Sequence, residues 1–208
     1  MTKIKICGLT REEDINSVNR WLPDYAGFLF CKSRRQVDPK QVGKLRKMLD
    51  ERIKPVGVFV NASIEFIEKL YCEGVIDLAQ LHGDESSDYI SELKNRIACP
   101  VIKAVRVKST EQILRYEKCP CDILLLDSYV EGIYGGSGKT FNHLFVPKLD
   151  KKEFFIAGGL NSENIEQAIR MLKPYGVDVS SGVESNGVKD DGKISRIIQL
   201  VRSLHVKT

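Results

Sequence analysis

The chain has 208 residues, 42% hydrophobic and 29% charged, which is the balance of a globular protein rather than a fibre or a disordered chain. Its 32 basic and 28 acidic residues leave a formal net charge of +4, with both signs interspersed and no basic stripe with interleaved aromatics to mark a nucleic-acid surface. No apolar stretch approaches the roughly 18–20 residues of a membrane helix, and no signal core follows Met1-Thr2-Lys3-Ile4-Lys5-Ile6, so a cytoplasmic location is expected.

From end to end, short apolar runs alternate with amphipathic stretches. The first strand is predicted over Lys3–Cys7 and the second over Ala26–Phe30, with a helix over Pro39–Leu49. Pro55–Val60 is the third strand. Ile64, Ile67 and Tyr71 follow at i, i+3 and i+7, the spacing of a helix laid on a sheet. Asp77–Leu81 precedes a helix over Ser87–Ile97, and two further strands are Pro100–Val105 and Asp122–Asp127. Glu153–Ala157 leads to Asn161, which stands where an N-cap belongs. Glu163 is in the first turn, and an apolar stripe follows at Ile165, Ala168, Ile169 and Leu172. Val177–Ser180 is the weakest strand because Asp178 interrupts it, and Ile194, Ile197, Ile198 and Val201 form the last helical stripe. Strands apolar at consecutive positions fit a parallel sheet covered on both faces. Eight strand–helix units of this length predict one α/β domain over residues 1–208, a (β/α)₈ TIM barrel, with an open doubly wound sheet as the alternative.

In such a barrel, chemistry sits at the C-terminal ends of the strands. Gly158 and Gly159 after the seventh strand, with Ser180, Ser181 and Gly182 after the eighth, offer backbone N–H groups to an anion and predict a phosphate site. Cys7 ends the first strand and reads either as a base or nucleophile, its thiolate favoured by nearby dipoles, or as a small buried apolar residue. Asp127 closes the run Ile123-Leu124-Leu125-Leu126; a desolvated carboxyl there can hold a proton and act as a general acid, and a turn former is the other reading. His82 ends the fourth strand without catalytic spacing to His143 or His205. Arg34 and Arg35 follow the second strand, where a guanidinium can clamp a carboxylate.

The six cysteines include no Cys-x-x-Cys pair, and Cys119-Pro120-Cys121 has the wrong step for zinc, so free thiols and no metal site are expected. Gly135-Gly136-Ser137-Gly138-Lys139-Thr140 lacks the spacing of a nucleotide-binding P-loop, and Ser128 to Asn142 reads as a mobile lid.

Taken together, Lys5-Ile6-Cys7-Gly8-Leu9-Thr10, Gly57-Val58-Phe59-Val60-Asn61 and Gln80-Leu81-His82-Gly83 resemble phosphoribosylanthranilate isomerases. So do Gly135 to Phe141, Ala157-Gly158-Gly159-Leu160 and Val177 to Glu184, in order and at the right spacing from residue 3 to about Ile198. The resemblance implies a monomeric or homodimeric barrel enzyme of tryptophan biosynthesis. It would act on a small-molecule substrate by an Amadori rearrangement, with no cofactor and no nucleic-acid or membrane partner. It makes Cys7 the general base and Asp127 the general acid, sets Arg35 against the anthranilate carboxylate, and gives phosphate to Gly158, Gly159, Ser180, Ser181 and Gly182. His82 and Asp178 take supporting places at the mouth. Asn142-His143, Ser185-Asn186-Gly187 and Cys31 depart from the family's usual residues without touching the acid or base. Other phosphosugar barrels share the phosphate site but carry Asp/Asp or Lys/Glu pairs where this chain has Cys7. A non-catalytic phosphosugar-binding barrel is the alternative from another class, and the presence of both Cys7 and Asp127 speaks against it.

Overall fold

The structure is a computed structural model that describes residues 1–128, 146–147, 149 and 151–204. Eight parallel strands close into a barrel in sequence order: β1 (Lys3–Cys7), β2 (Tyr25–Leu29), β3 (Lys54–Phe59), β4 (Leu78–Leu81), β5 (Val101–Val107), β6 (Ile123–Ser128), β7 (Glu153–Ile156) and β8 (Gly176–Val179). β8 pairs with β1 and completes the ring, which excludes the open-sheet alternative. The strand ends lie within two residues of those read from the sequence.

Seven α-helices are formed by the described residues: α1 (Glu12–Trp21), α2 (Pro39–Met48), α3 (Ile64–Cys72), α4 (Ser87–Arg96), α5 (Thr110–Tyr116), α6 (Ile165–Leu172) and α7 (Asp191–Ser203). Their starts follow capping chemistry. Asp38, Ser63, Ser86, Ser109 and Asp190 each accept a hydrogen bond from a first-turn amide, satisfying a donor that the helix leaves open. α6 differs from the sequence reading. Asn161 accepts from the Glu163 amide at 2.8 Å and closes a turn, and the helix starts only at Ile165 with Asn164 at its N-cap. The Asn161 side chain bonds two residues ahead, a turn that competes with a helix start. The predicted lid falls almost wholly outside the described residues.

Strand alternation sorts the core. Ile4, Ile6, Leu124 and Leu126 face outward into the shell under the helices, while Val56, Leu78, Ile102, Leu125 and Phe155 fill the barrel. Both faces are covered, which is why these strands read as continuous apolar runs. Phe155 forms the floor, edge-on to Tyr25 and Tyr175 at 5.5 and 5.4 Å between ring centres. Asp178, which interrupted the last strand in the sequence, points inward to a charged partner. None of the described helices is long and apolar enough to cross a membrane.

Because Phe155 is fully buried among rigid strands, Phe155→Ala leaves a hole that the barrel cannot close by collapse. We expect a loss of about 3–5 kcal/mol of unfolding free energy in urea titrations, with an unchanged fold by circular dichroism.

Candidate active site

The C-terminal ends of the strands surround a cavity to which Cys7 (β1), His82 (after β4), Asp127 (β6) and Asp178 (β8) contribute side chains. Gly158, Gly159, Ser180 and Ser181 line its rim on the side of β7 and β8, and Arg35 reaches it from the loop after β2. Nine of the ten residues singled out in the sequence therefore meet at one place.

Gly182 is the exception, standing outside this lining. A Cβ built there would lie 1.9 Å from the Leu160 carbonyl oxygen, so the glycine is required for the β8 loop to pack on the β7 loop. It brings the two loops together. Gly158 and Gly159 take φ of +89° and +64°, a left-handed path that suits glycine and turns the β7 loop over the cavity. The Ser180 hydroxyl donates to the Cys7 carbonyl at 3.0 Å and ties the end of β8 to the end of β1.

Below Cys7 sits a residue that the sequence reading passed over. Parity within β1 puts Lys5 on the same inward face as Cys7, and the β1–β8 register sets Lys5 opposite Asp178. Its ammonium is fully buried and donates to Asp178 Oδ1 at 3.0 Å. A Cβ on Gly27 would meet Cys7 Sγ at 2.7 Å and Lys5 Nζ at 3.1 Å, so thiol and ammonium flank one point of β2 that only glycine leaves open. Burial is the larger effect and holds the Cys7 thiol above its ordinary value, while the Lys5 ammonium pulls against that by favouring the thiolate. Burial would lower Lys5, but Asp178 and Cys7 outweigh it and the ammonium is held charged.

Asp127 is buried and lies beside His82, with Oδ2 3.2 Å from Nε2. The other ring nitrogen, Nδ1, lies 2.9 Å from the Gln80 amide nitrogen. Cys31, one of the departures noted above, also lines the cavity and is half-buried. Of the remaining cysteines, Cys99, Cys119 and Cys121 are buried, and Cys72 is exposed on α3.

Arg35 is held in an unanticipated way. Nε donates to Glu184 Oε1 at 2.6 Å and Nη2 to Oε2 at 3.0 Å, a fork-to-fork pair. Glu184, in a two-stranded ribbon of β9 (Glu184–Ser185) and β10 (Val188–Lys189), also accepts from Arg34 and from Lys189 Nζ at 2.9 Å. Three cations around one carboxylate leave a net positive rim. Glu184 stood in the sequence motif, but only the fold brings it across to Arg35. Burial would push the Glu184 carboxyl up, but hydrogen bonds from Arg35 and Lys189 outweigh burial and hold it below the ordinary carboxylate range.

A carboxyl depressed in the folded state contributes stability above its unfolded value of about 4.3 and loses it as pH falls through the lower folded value. Wild-type stability in urea should therefore drop between about pH 5 and about pH 3. Glu184→Gln should start lower and show a shallower drop across the same window.

Known proteins share this architecture and sequence. A family model described as N-(5'-phosphoribosyl)anthranilate (PRA) isomerase matches residues 4–200. The N-(5'-phosphoribosyl)anthranilate isomerase of Endomicrobium trichonymphae is 48% identical over 204 residues, covering 98% of this chain and all of that protein. The crystal structure of phosphoribosyl anthranilate isomerase from Thermotoga maritima superposes with a TM-score of 0.88 at 34% identity, over 98% of this chain and all of that one. A crystal structure of such an isomerase in complex with reduced 1-(o-carboxyphenylamino)-1-deoxyribulose 5-phosphate gives 0.84 at 32% identity, over 98% and 100% of the two chains. With the whole barrel matched at this identity, the chain belongs to the N-(5'-phosphoribosyl)anthranilate isomerase family.

Proposed function

We propose that Asp127 and Cys7 are the general acid and base with which the chain isomerises N-(5'-phosphoribosyl)anthranilate to 1-(2-carboxyphenylamino)-1-deoxyribulose 5-phosphate. The observation that carries the assignment is their meeting in one cavity, with a buried ammonium beside the thiol and a histidine beside the carboxyl.

The two steps need opposite groups. Asp127 delivers a proton to the ribose ring oxygen as the anthranilate nitrogen pushes the ring open, leaving a protonated Schiff base. Cys7, as thiolate, then takes the proton from C2, and its electrons flow through C1 to quench the nitrogen cation. The resulting enolamine tautomerises to the ketone. One group starts protonated and the other deprotonated, so their surroundings must differ. Lys5 works toward that difference at Cys7, because a buried cation beside the thiol favours the thiolate against the rise that burial imposes.

Binding follows the same geography. The substrate phosphate fits the β7 and β8 loops through Gly158, Gly159, Ser180 and Ser181, with Gly182 packing the loops together. The anthranilate carboxylate faces Arg35, whose guanidinium is oriented beforehand by Glu184. Preorientation reduces the side-chain entropy lost on binding. Asp178 acts through Lys5 and His82 through Asp127, both as supporting groups.

In an anthranilate-fluorescence assay with freshly made substrate, Cys7→Ser and Asp127→Asn should each lower kcat by at least roughly 10²-fold, with the fold retained. An active variant would discard the role given to that residue. Lys5→Met in an Asp178→Asn background removes the cation without stranding its partner. Loss of a cation favours the neutral thiol, so the Cys7 titration, read by thiolate absorbance, should move up by at least about one pH unit. The kcat at neutral pH should fall about tenfold in step.

A further inference from the structure

Three side chains form a line that ends at the proposed acid. Gln80, on the inward face of β4 and 1% exposed, places Nε2 2.9 Å from His82 Nδ1, and His82 Nε2 lies 3.2 Å from Asp127 Oδ2. The other end of the amide, Gln80 Oε1, is buried with no hydrogen-bond partner among the described residues. A buried acceptor without a donor is uncommon and costs stability, so its place at an active cavity calls for a cause.

We propose that Gln80 is a positioning residue whose amide reverses end for end, its oxygen accepting from His82 Nδ1–H when the His82–Asp127 pair holds the proton that ring opening consumes. The inference rests on the reading of Asp127 as the acid, and the argument is a count of protons. With the amide nitrogen toward His82, Nδ1 must be bare, since a donor cannot meet a donor. The ring is then neutral, its proton is on Nε2, and Nε2–H donates to an Asp127 oxygen that carries no proton. That is the arrangement after the acid has discharged, and it strands Oε1.

With the amide oxygen toward His82, the same heavy-atom outline accepts Nδ1–H. A proton then lies between Nε2 and Oδ2, either as a carboxylic acid donating to the ring or as an imidazolium donating to the carboxylate. Both forms hold the one proton that passes to the ribose ring oxygen. The stranded oxygen gains its donor, and the amide NH₂ turns toward the cavity, where a substrate hydroxyl can accept from it. The Gln80 orientation thus follows the charge state of the acid.

Among the described residues, the charged groups near the line have partners of their own. Arg106 on β5 stands opposite Asp127 in register, with its guanidinium on Asp84 at 2.8 Å. Behind the His82 loop, Lys103 is paired with Glu85 at 2.7 Å and also donates to the Gly83 carbonyl. Across the cavity the titratable and charged groups among the described residues are Cys7, Cys31, Arg35 and Asp178, with Arg35 committed to Glu184 and Asp178 to Lys5.

The test is nitrogen NMR on ¹⁵N-histidine-labelled protein, in which only His82, His143 and His205 contribute signals. It is combined with kcat and KM across pH for the wild type, Gln80→Leu and Gln80→Glu. Wild-type His82 should carry a proton on Nδ1 at neutral pH. Gln80→Leu removes the acceptor. The His82 titration and the matching limb of the kcat profile should move down by about one pH unit, and kcat should fall about tenfold with KM within about threefold. Gln80→Glu supplies a fixed acceptor, keeps Nδ1–H, and should move both upward.

A bare Nδ1 in the wild type, or titrations unmoved by both substitutions, would overturn the proposal. If Gln80→Leu does not fold, the wild-type spectrum and Gln80→Glu decide it. Asp127→Asn separates the two readings. If that variant stays active while Nδ1 is protonated, the role of Asp127 as acid falls, and with it the link from Gln80 to the reaction. If it is inactive while Nδ1 is bare, Asp127 remains the acid and the role of Gln80 falls.

Discussion

The barrel closes where β8 meets β1, and the register of that seam sets Lys5 opposite Asp178. A lysine with no exposed side-chain surface is tolerated only with a partner, because an uncompensated charge in that environment is expensive and breaking such a pair typically costs about 3–5 kcal/mol. The seam therefore places a permanent cation in the middle of the structure, one pleat below Cys7. Much else follows from that constraint. Gly27 must remain a glycine because any side chain there would collide with both the thiol and the ammonium. The Ser180 hydroxyl closes the same seam at its upper end by bonding to the Cys7 carbonyl.

Polarity is layered along the barrel axis. Phe155, Tyr25 and Tyr175 make an apolar floor, the Lys5–Asp178 pair occupies the next level, and Cys7 and Asp127 stand above it. The floor keeps water from the pair, and the pair in turn biases the thiol. Toward the rim the charges lie nearer to solvent, and Glu184 gathers Arg34, Arg35 and Lys189 into a cluster that stays positive overall. The glycine loops lie on one side of the mouth and this cluster on another. In the function proposed above, specificity for a doubly anionic substrate rests on backbone amides and a preset guanidinium, neither of which has to be ordered at the moment of binding.

The sequence carried most of the architecture because each strand is buried on both faces and each well-formed helix has one apolar stripe, patterns set by local geometry. It erred where two local rules competed. Asn161 has the composition of an N-cap, yet its side chain closes a turn instead, and the helix starts after Asn164. Gly182, read as part of the phosphate site, also lets two loops pack closely, a fact about close approach that no single segment contains.

By itself, then, the sequence determined which groups could do the chemistry. Cys7, Asp127, His82, Arg35 and the glycine and serine loops were candidates by residue type and by their place at the ends of apolar runs, and the family resemblance assigned their roles. What it could not supply was who stands beside whom across the barrel. Lys5 is two residues from Cys7 and shares its face by parity alone, but its pairing with Asp178 depends on the register of strands 173 residues apart in the chain. Glu184 reaches Arg35 from the far side of the mouth, and Gln80 lines up with Asp127 through His82. Charge and proton placement depend on distance and burial, and closure of the barrel is what brings these distant segments within reach of one another.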